Sequence, residues 1–159
     1  MTAADRKQRL QRLERILLWS PIYFVTTCTN ERRPILATES VHRAFVQFAR
    51  EGIHRGAWLG AYVLMPDHLH LFVGFDDRKI ELSRWMKSLK NTLSKTLRSD
   101  GVRGSHWQKG FFDHVLRSEE SYEQKWHYVR ENPVRHGLVG NWQDWPFRGE
   151  IFDLRYYSD

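Results

Sequence analysis

Residues 57–74, AWLGAYVLMPDHLHLFVG, constrain the fold more than any other stretch of this chain. Two runs rich in apolar and β-branched residues, 57–65 and 68–74, are separated by Pro66 and Asp67. This pattern predicts two strands joined by a tight turn and paired antiparallel. The second run also contains His68 and His70, which an apolar strand in a core does not need. The pair therefore requires its own explanation.

The other apolar patterns predict two more strands and four helices. The strands cover 22–29 and 111–117, and the helices cover 5–18, 39–51, 81–98 and about 119–132. Without the first helix, the order is β-α-β-β-α-β with one helix appended. We therefore expect an α+β fold of the ferredoxin-like, split β-α-β kind, with an antiparallel sheet and helices on one face.

The chain of 159 residues suits one main domain. We expect a basic amphipathic N-terminal helix within residues 1–20, a principal domain over 21–148 and a C-terminal tail over 149–159. No apolar run is long enough to span a membrane. The single cysteine, Cys28, excludes an internal disulfide and fits a reducing cytoplasm.

The charge is basic and uneven. The formal net charge is +6, and the region 78–109 has nine cations against two anions. A local excess of this kind favours binding to a polyanion, because neutralised phosphates release counterions. The alternative is a solvated helix face.

His68 and His70 occupy positions i and i+2 of a predicted strand, so both side chains lie on the same face. Two neutral imidazoles side by side suit a divalent metal. Two nitrogens do not complete a site, however, and H-x-H alone is also compatible with two structural histidines. The sequence has no H-E-x-x-H helix and no paired Cys-x-x-Cys ligands.

Tyr128 lies on the polar face of the last predicted helix. Tyr122, Trp126 and Val129 share an apolar face, because they are spaced at i, i+4 and i+7. Tyr128 is about 200° around the helix from Trp126 and therefore lies on the opposite face. Lys125 lies on the same face as Tyr128. The residue is then either a half-exposed surface tyrosine or a phenol held over the histidine pair.

A tyrosine with a pKa of about 10 needs help to attack a phosphate. A metal on His68 and His70 would provide it by polarising the phosphoryl oxygens. Attack by Tyr128 would then give a covalent phosphotyrosine and a free 3′ hydroxyl. Asn132, four residues further on, has an amide oxygen that could reach the same metal. Tyr156 and Tyr157 in the tail are rival nucleophiles, although no helix is predicted to present them.

Three segments together resemble a known family. MPDHLHLFVG, WQKGFFDHVLR and YVRENPVRHGLV, followed by DWPF, are similar to the REP-associated tyrosine transposases of the HUH single-strand nuclease superfamily. The similarity runs from about residue 21 to about residue 148. The extra N-terminal helix and the short tail depart from the family pattern.

The resemblance implies that His68 and His70 are metal ligands, that Tyr128 is the catalytic tyrosine and that Asn132 is a third ligand. It implies Mg²⁺ or Mn²⁺ as the cofactor, and a single-stranded DNA hairpin of the repetitive extragenic palindromic (REP) type as the partner. The protein would be a monomer or a homodimer in the bacterial cytoplasm, associated with the nucleoid.

Candidate DNA contacts follow from charge and helix position. Seven residues are predicted: four in a stripe on the long helix, two beside a Gly-rich loop and one near Tyr128. In that order, they are Arg84, Lys87, Asn91 and Arg98, then Arg103 and Lys109, and finally Lys125. In the loop, His106 and Trp107 could stack on an unpaired base, although Trp107 is equally compatible with a core position.

Two other functions remain open from the residues. One is a DNA-hairpin-binding protein that has lost cleavage, and the joint presence of His68, His70, Tyr128 and Asn132 argues against it. The other is an RNA-binding module, which would display aromatic side chains on its central strands. HLHLFVG offers imidazoles there instead.

Overall fold

The computed structural model describes residues 13–157. The strands are β1 (Arg15–Leu18), β2 (Ile22–Cys28), β3 (Ala57–Leu64), β4 (His68–Phe75), β5 (Phe112–Leu116), β6 (Arg148–Glu150) and β7 (Asp153–Tyr156). The helices are α1 (Glu39–Glu51), α2 (Leu82–Ser99), α3 (Glu119–Val129) and α4 (Asn132–Arg135). None of these helices is long and apolar enough to cross a membrane.

Five strands form one antiparallel sheet in the order β5-β2-β4-β3-β6. β4 is central and pairs on one side with β2, where His70 lies opposite Thr26 and His68 lies opposite Cys28. β3 and β4 form the predicted hairpin, with Leu64 opposite Leu69 next to the turn. The predicted α+β class is therefore confirmed, as is the order β-α-β-β-α-β along the chain.

The helices α1 and α2 cover one face of this sheet, called here the α1–α2 face. Thr38 caps α1 by accepting a hydrogen bond from the Val41 amide. Both helices bury an apolar stripe, as their spacing predicts. The buried members are Val41, Phe45 and Phe48 of α1 and Trp85, Leu89, Leu93 and Leu97 of α2. They pack against Leu69, Leu71 and Val73 of β4.

The opposite face, called here the α3 face, is covered by α3. Tyr122 and Val129 of this helix pack against Phe72 of β4, as predicted for its apolar side. The Tyr122 hydroxyl oxygen accepts a hydrogen bond from the Ala61 amide of β3 at 2.9 Å. Gly60 is required there, because a Cβ atom at this position would clash with the Tyr122 hydroxyl.

The prediction of a helix over residues 5–18 is wrong for its last six residues, because none of residues 13–18 is helical. Residues 15–18 form β1, which pairs in parallel with β7 to make a two-stranded ribbon. Leu17 is exposed, whereas Leu18 is buried against Gly74. Pairing with a strand distant in sequence thus overrides the local helical spacing. The rest of the predicted helix, up to residue 12, lies outside the described residues.

The region after residue 148 is part of the fold. β6 pairs with β3 at the edge of the sheet, and β7 pairs with β1. No strand was predicted over 149–159, because each pairing segment is only three or four residues long.

The last predicted helix is interrupted. α3 begins after Ser118, whose hydroxyl accepts from the Ser121 amide as a cap, and it ends at Val129. Arg130 and Glu131 form a turn, and Pro133 lies in the first turn of α4. Proline is tolerated there because the amides of a first turn have no partner within the helix. Pro133 therefore helps to begin a second helix instead of ending the first.

Candidate active site

His68 and His70 lie side by side on the α3 face, near the start of β4. Their ring centroids are 4.8 Å apart, and the rings are nearly perpendicular at 79°. His68 is buried, with 5% of its surface exposed. The His70 ring stacks on Phe24 of β2, with centroids 5.4 Å apart. The strand alternation predicted this shared direction, and the structure confirms it.

Each imidazole is held through its Nδ1 atom. His68 Nδ1 lies 2.7 Å from Asp67 Oδ1, and since a carboxylate only accepts, Nδ1 carries the proton. Arg32 Nε donates to the other oxygen of Asp67 at 3.0 Å. His70 Nδ1 pairs with the Thr26 hydroxyl at 2.8 Å. These contacts use the Nδ1 atom of each ring and leave Nε2 as the nitrogen that could bind a metal. Metal-binding histidines are commonly held in this way by a partner on their other nitrogen.

Both imidazoles favour the neutral form. Burial, together with the positive charges of His68, Lys125 and Arg135, lowers the pKa of His70 to about 3. Burial also lowers the pKa of His68, although Asp67 acts in the opposite direction. A neutral imidazole has a free lone pair for a metal. The pair is thus in its ligating form at neutral pH.

The donor set fits a divalent cation but is incomplete. Within residues 13–157, no group of three or more His, Cys, Asp or Glu side chains is arranged to hold a metal ion. A metal at this site would therefore have two nitrogen ligands, from His68 and His70. Its remaining positions would be filled by amide, water or phosphate oxygens, which are the ligands that Mg²⁺ and Mn²⁺ prefer.

Tyr128 projects from the last turn of α3 and is 62% exposed. Two cations lie against its ring: the guanidinium carbon of Arg135 is 4.1 Å from the ring centroid, and Lys125 Nζ is 5.8 Å from it. Lys125 Nζ also lies 4.8 Å from the centroid of Phe24, the ring that stacks on His70. Lys125 and Phe24 thus connect the tyrosine to the histidine pair.

Asn132 is buried at the start of α4, with 7% of its surface exposed. Its main-chain carbonyl lies 2.9 Å from His136 Nδ1, and the His136 ring centroid is 6.0 Å from that of His68. α4 is therefore beside the histidine pair. The assignment of Asn132 as a metal ligand stays a prediction.

Six of the seven predicted DNA contacts lie away from the histidine pair. They are exposed on α2, over the opposite face of the sheet, or in the loop that follows α2. These six are Arg84, Lys87, Asn91, Arg98, Arg103 and Lys109. Three of them line an open groove of about 690 Å³ together with Arg55 and Lys79. The seventh, Lys125, lies beside Tyr128, and all seven remain predictions as DNA contacts.

Two other candidates have structural roles. His106 is buried, and its two nitrogens lie 2.9 Å from Ser94 Oγ and 2.8 Å from the Val102 carbonyl, so the prediction that it stacks on a base is wrong. Trp107 donates its indole N–H to the Lys90 carbonyl at 3.2 Å and packs against the core beneath α2.

The tail tyrosines are tied to the ribbon. Ile22 donates its amide to the Tyr156 hydroxyl at 2.8 Å, and Tyr157 stacks on Trp19 with centroids 4.1 Å apart. Ile22 is four residues from Thr26, the partner of His70, which is about 13 Å along β2. The rival nucleophiles are therefore distant from the histidine pair.

The sequence reasoning missed the groups that hold the histidines. Asp67 precedes the strand, so the alternation of strand side chains gives no indication that it contacts His68. Arg32 reaches Asp67 from a turn in which Glu31 and Arg32 both have φ of 54°. For Thr26 no local signal existed, because its register with His70 depends on pairing between distant strands.

The α3 face thus combines a histidine pair with a cation-flanked tyrosine, and comparison with protein families identifies the chain as a transposase. Residues 17–132 match the family described as "Transposase IS200 like". The chain belongs to the IS200-like transposase family.

Three similar proteins agree with this assignment. The REP-associated tyrosine transposase of Escherichia coli (strain K12) is 25% identical over 127 residues, which cover 79% of this chain and 73% of that protein. The "Putative REP-associated tyrosine transposase" of Haemophilus influenzae (strain Rd) is 23% identical over 148 residues, which cover 84% of this chain and 82% of that protein. A solved structure of a REP-associated tyrosine transposase bound to a REP hairpin has a TM-score of 0.62 and 25% identity, and the match covers 87% of this chain and 82% of that one.

Proposed function

We propose that this transposase cuts and rejoins single-stranded DNA at REP hairpins through a 5′-phosphotyrosine on Tyr128. The observation that carries the proposal is the placement of Tyr128 on the α3 face together with His68 and His70. Lys125 connects them, since its ammonium group lies over both the Tyr128 ring and the Phe24 ring that stacks on His70. The DNA substrate is proposed from the names of the similar transposases.

The chemistry conserves one phosphodiester bond. The Tyr128 oxygen attacks the phosphorus, a bond forms between them, and the bond from phosphorus to the 3′ oxygen breaks. The 3′ oxygen leaves as a hydroxyl and takes up the proton that the phenol gives up overall. The downstream strand is then attached to Tyr128 by its 5′ phosphate, and attack by a 3′ hydroxyl reverses the step. No other reactant is consumed.

His68 and His70, with the Asn132 side chain as a third ligand, would hold the Mg²⁺ or Mn²⁺ ion. When bound, this ion would supply Lewis-acid polarisation of a phosphoryl oxygen. Asp67 and Thr26 engage the two Nδ1 atoms, which leaves the Nε2 atoms for the ion. The protein thus contributes a fixed pair of nitrogen ligands that are already deprotonated.

The cations beside Tyr128 suit an anionic substrate. Lys125 and Arg135 both lie over the Tyr128 ring, and the positive charge of each also acts on His70. A phosphate brought to the phenol would therefore lie among positive charges. By analogy with the REP-associated transposases that it resembles, the protein would act at the nucleoid in the bacterial cytoplasm.

The test is a cleavage assay with REP hairpin oligonucleotides labelled at either end, in the presence of Mg²⁺ or Mn²⁺. We expect the fragment with the new 5′ end to run as a covalent protein adduct on a denaturing gel. Tyr128→Phe removes only the hydroxyl of an exposed side chain, so it should abolish the adduct and leave folding and hairpin binding unchanged.

Tyr157→Phe is the matched control, because this tyrosine is also exposed but belongs to the distant ribbon. It should form the adduct at the parent rate. Equal binding by all three proteins with no adduct in any of them would instead identify a DNA-hairpin-binding protein that has lost cleavage.

A further inference from the structure

Phe112 is an exposed aromatic side chain that neither the fold nor the proposed chemistry explains. It is 74% exposed at the start of β5. The other eight phenylalanines of the chain all lie within residues 13–157 and are buried or half-buried. An aromatic ring in water forgoes the burial that normally stabilises it. The exposure of this ring would be explained by a binding partner that covers it.

The sheet register places Phe112 on the same face as the histidine pair. Phe112 lies opposite Thr26 in β2, and Thr26 lies opposite His70 in β4. Residues directly opposite each other in antiparallel strands point to the same side. The three residues therefore form a row across the sheet, and Phe112 is two strand spacings, or about 10 Å, from His70. At about 3.4 Å per stacked nucleotide, this is the span of about three nucleotides.

The charges around this row favour a nucleic acid over an apolar partner. Lys125 lies above Phe24, which neighbours Thr26 on the same strand, and Arg135 lies over Tyr128. The carboxylate nearest in sequence, Asp113, is opposite Val25 and therefore belongs to the other face. An exposed aromatic ring on a face that also carries cations is the usual platform for an unpaired base, and the cations neutralise the phosphates of its strand.

We propose that Phe112 is a stacking platform for an unpaired base of the strand that Tyr128 cleaves, within about three nucleotides of the cleaved phosphate. The inference rests on the proposed function, because it assumes that single-stranded DNA reaches the histidine pair. It assigns to β5 the task of holding that strand in place. Stacking requires a ring, and this property separates it from simple apolar contact.

Binding is measured in the Tyr128→Phe background, so that cleavage does not interfere. The probes are a REP hairpin with single-stranded flanks and the same hairpin without flanks. Phe112→Ala should weaken binding of the flanked hairpin by about 5- to 150-fold, as expected for the loss of one stacked base. Binding of the unflanked hairpin should be unchanged.

Three variants provide the controls. Phe112→Trp should retain binding because it keeps a ring, and Phe112→Leu should lose most of it because it keeps only apolar surface. Trp19→Ala removes an equally exposed aromatic residue, 76% exposed, at the other end of β2. It should bind the flanked hairpin like the parent. Equal losses in Trp19→Ala and Phe112→Ala would overturn the assignment.

Crosslinking locates the contact directly. Flanked hairpins with 5-iododeoxyuridine at single positions on either side of the cleavage site are irradiated, and the attached peptide is sequenced. A crosslink at Phe112 from one or two adjacent positions is expected. Crosslinks confined to other residues, or a flanked hairpin bound normally by Phe112→Ala, would overturn the proposal. So would a shift from dimer to monomer in Phe112→Ala, because the ring would then contact a second copy.

Failure of this inference differs from failure of the proposed function. If Phe112→Ala binds normally while the parent still forms the Tyr128 adduct, only the stacking platform is excluded. If no adduct forms but the ring-dependent binding and the crosslink persist, the platform stands and the cleavage chemistry is excluded.

Discussion

The two faces of β4 differ in chemistry although they belong to one strand. Toward α1 and α2, Leu69, Leu71 and Val73 are fully buried. Toward α3, only Phe72 of β4 belongs to the apolar core, and His68 and His70 occupy the two preceding positions of the same face, where apolar side chains would have enlarged that core. Burial disfavours the charged form of both imidazoles, as their lowered pKa values indicate. A local conflict of this kind with core formation is characteristic of functional sites.

The side chains around the two faces differ in the same way. The α1–α2 face is sealed by two helices with continuous apolar stripes. Beside the histidines, the α3 face stays partly open, and Tyr128 and Phe112 are 62% and 74% exposed there. Packing has thus been optimised on one face, and access for a substrate has been kept on the other. The following predictions test this division.

The largest effect is expected for His70→Ala on the α3 face. Adduct formation should fall by more than about 10³-fold, because the loss of a metal ligand removes several kcal/mol of charge stabilisation. The urea midpoint of unfolding should change little, since His70 lies outside the core cluster beneath α1 and α2. Cleavage assays and urea titrations check both. An active His70→Ala protein would mean that the pair is structural.

Leu71→Ala, one residue further along β4, should give the opposite result. Leu71 is fully buried, so its truncation leaves a cavity and should lower the free energy of unfolding by about 3 kcal/mol. Adduct formation per folded molecule should remain near the parent value at low temperature. A selective loss of activity without loss of stability would break the proposed division between the faces.

Asp67→Asn tests how the first histidine is held. Its carboxylate accepts from both His68 and Arg32, and an amide lacks the charge that favours the Nδ1–H form. The affinity for Mn²⁺, measured by calorimetry without DNA, should fall by about 10- to 100-fold. Asp77→Asn is the control, because Asp77 instead accepts from Ser20. Unchanged affinity in Asp67→Asn would show that the carboxylate does not position a ligand.

The smallest effect concerns His42, a histidine of the α1–α2 face. Its Nε2 lies 2.7 Å from the Tyr62 hydroxyl, and burial lowers its pKa. The unfolded chain therefore binds a proton here that the folded chain does not. This contribution to stability is present above the ordinary histidine pKa of about 6.5 and is lost as the pH falls below it. In His42→Gln, urea unfolding between pH 5 and 7 should show a shallower pH dependence than in the parent, and an identical slope would contradict the prediction.

Much of the fold could be predicted from the sequence because its signals are local. The β3–β4 hairpin, the capped α1 and the long α2 follow from spacing and from cap residues within a few positions. The shared direction of His68 and His70 is equally local, because the alternation of strand side chains determines it. The apolar side of α3, with Tyr122 and Val129, was predictable for the same reason.

The ribbon of β1 and β7 was not predictable in this way. Residues 15–18 have the spacing of a helix, and only a partner at 153–156 makes them a strand. The break after Val129 also escaped prediction, since one helix was expected to continue to about residue 132, whereas a second helix begins there with Pro133 in its first turn.

The sequence by itself determined which chemical groups this protein has: an imidazole pair on one side of a strand, a tyrosine on the polar side of a helix and a basic segment. Only the tertiary structure decided what surrounds them. Strand register brings Thr26 to His70 and places Phe112 in the same row, and the loop before β4 brings Asp67 and Arg32 to His68. The physical reason is that periodicity acts over neighbouring residues, whereas a site is assembled by pairing and packing between segments far apart in the chain.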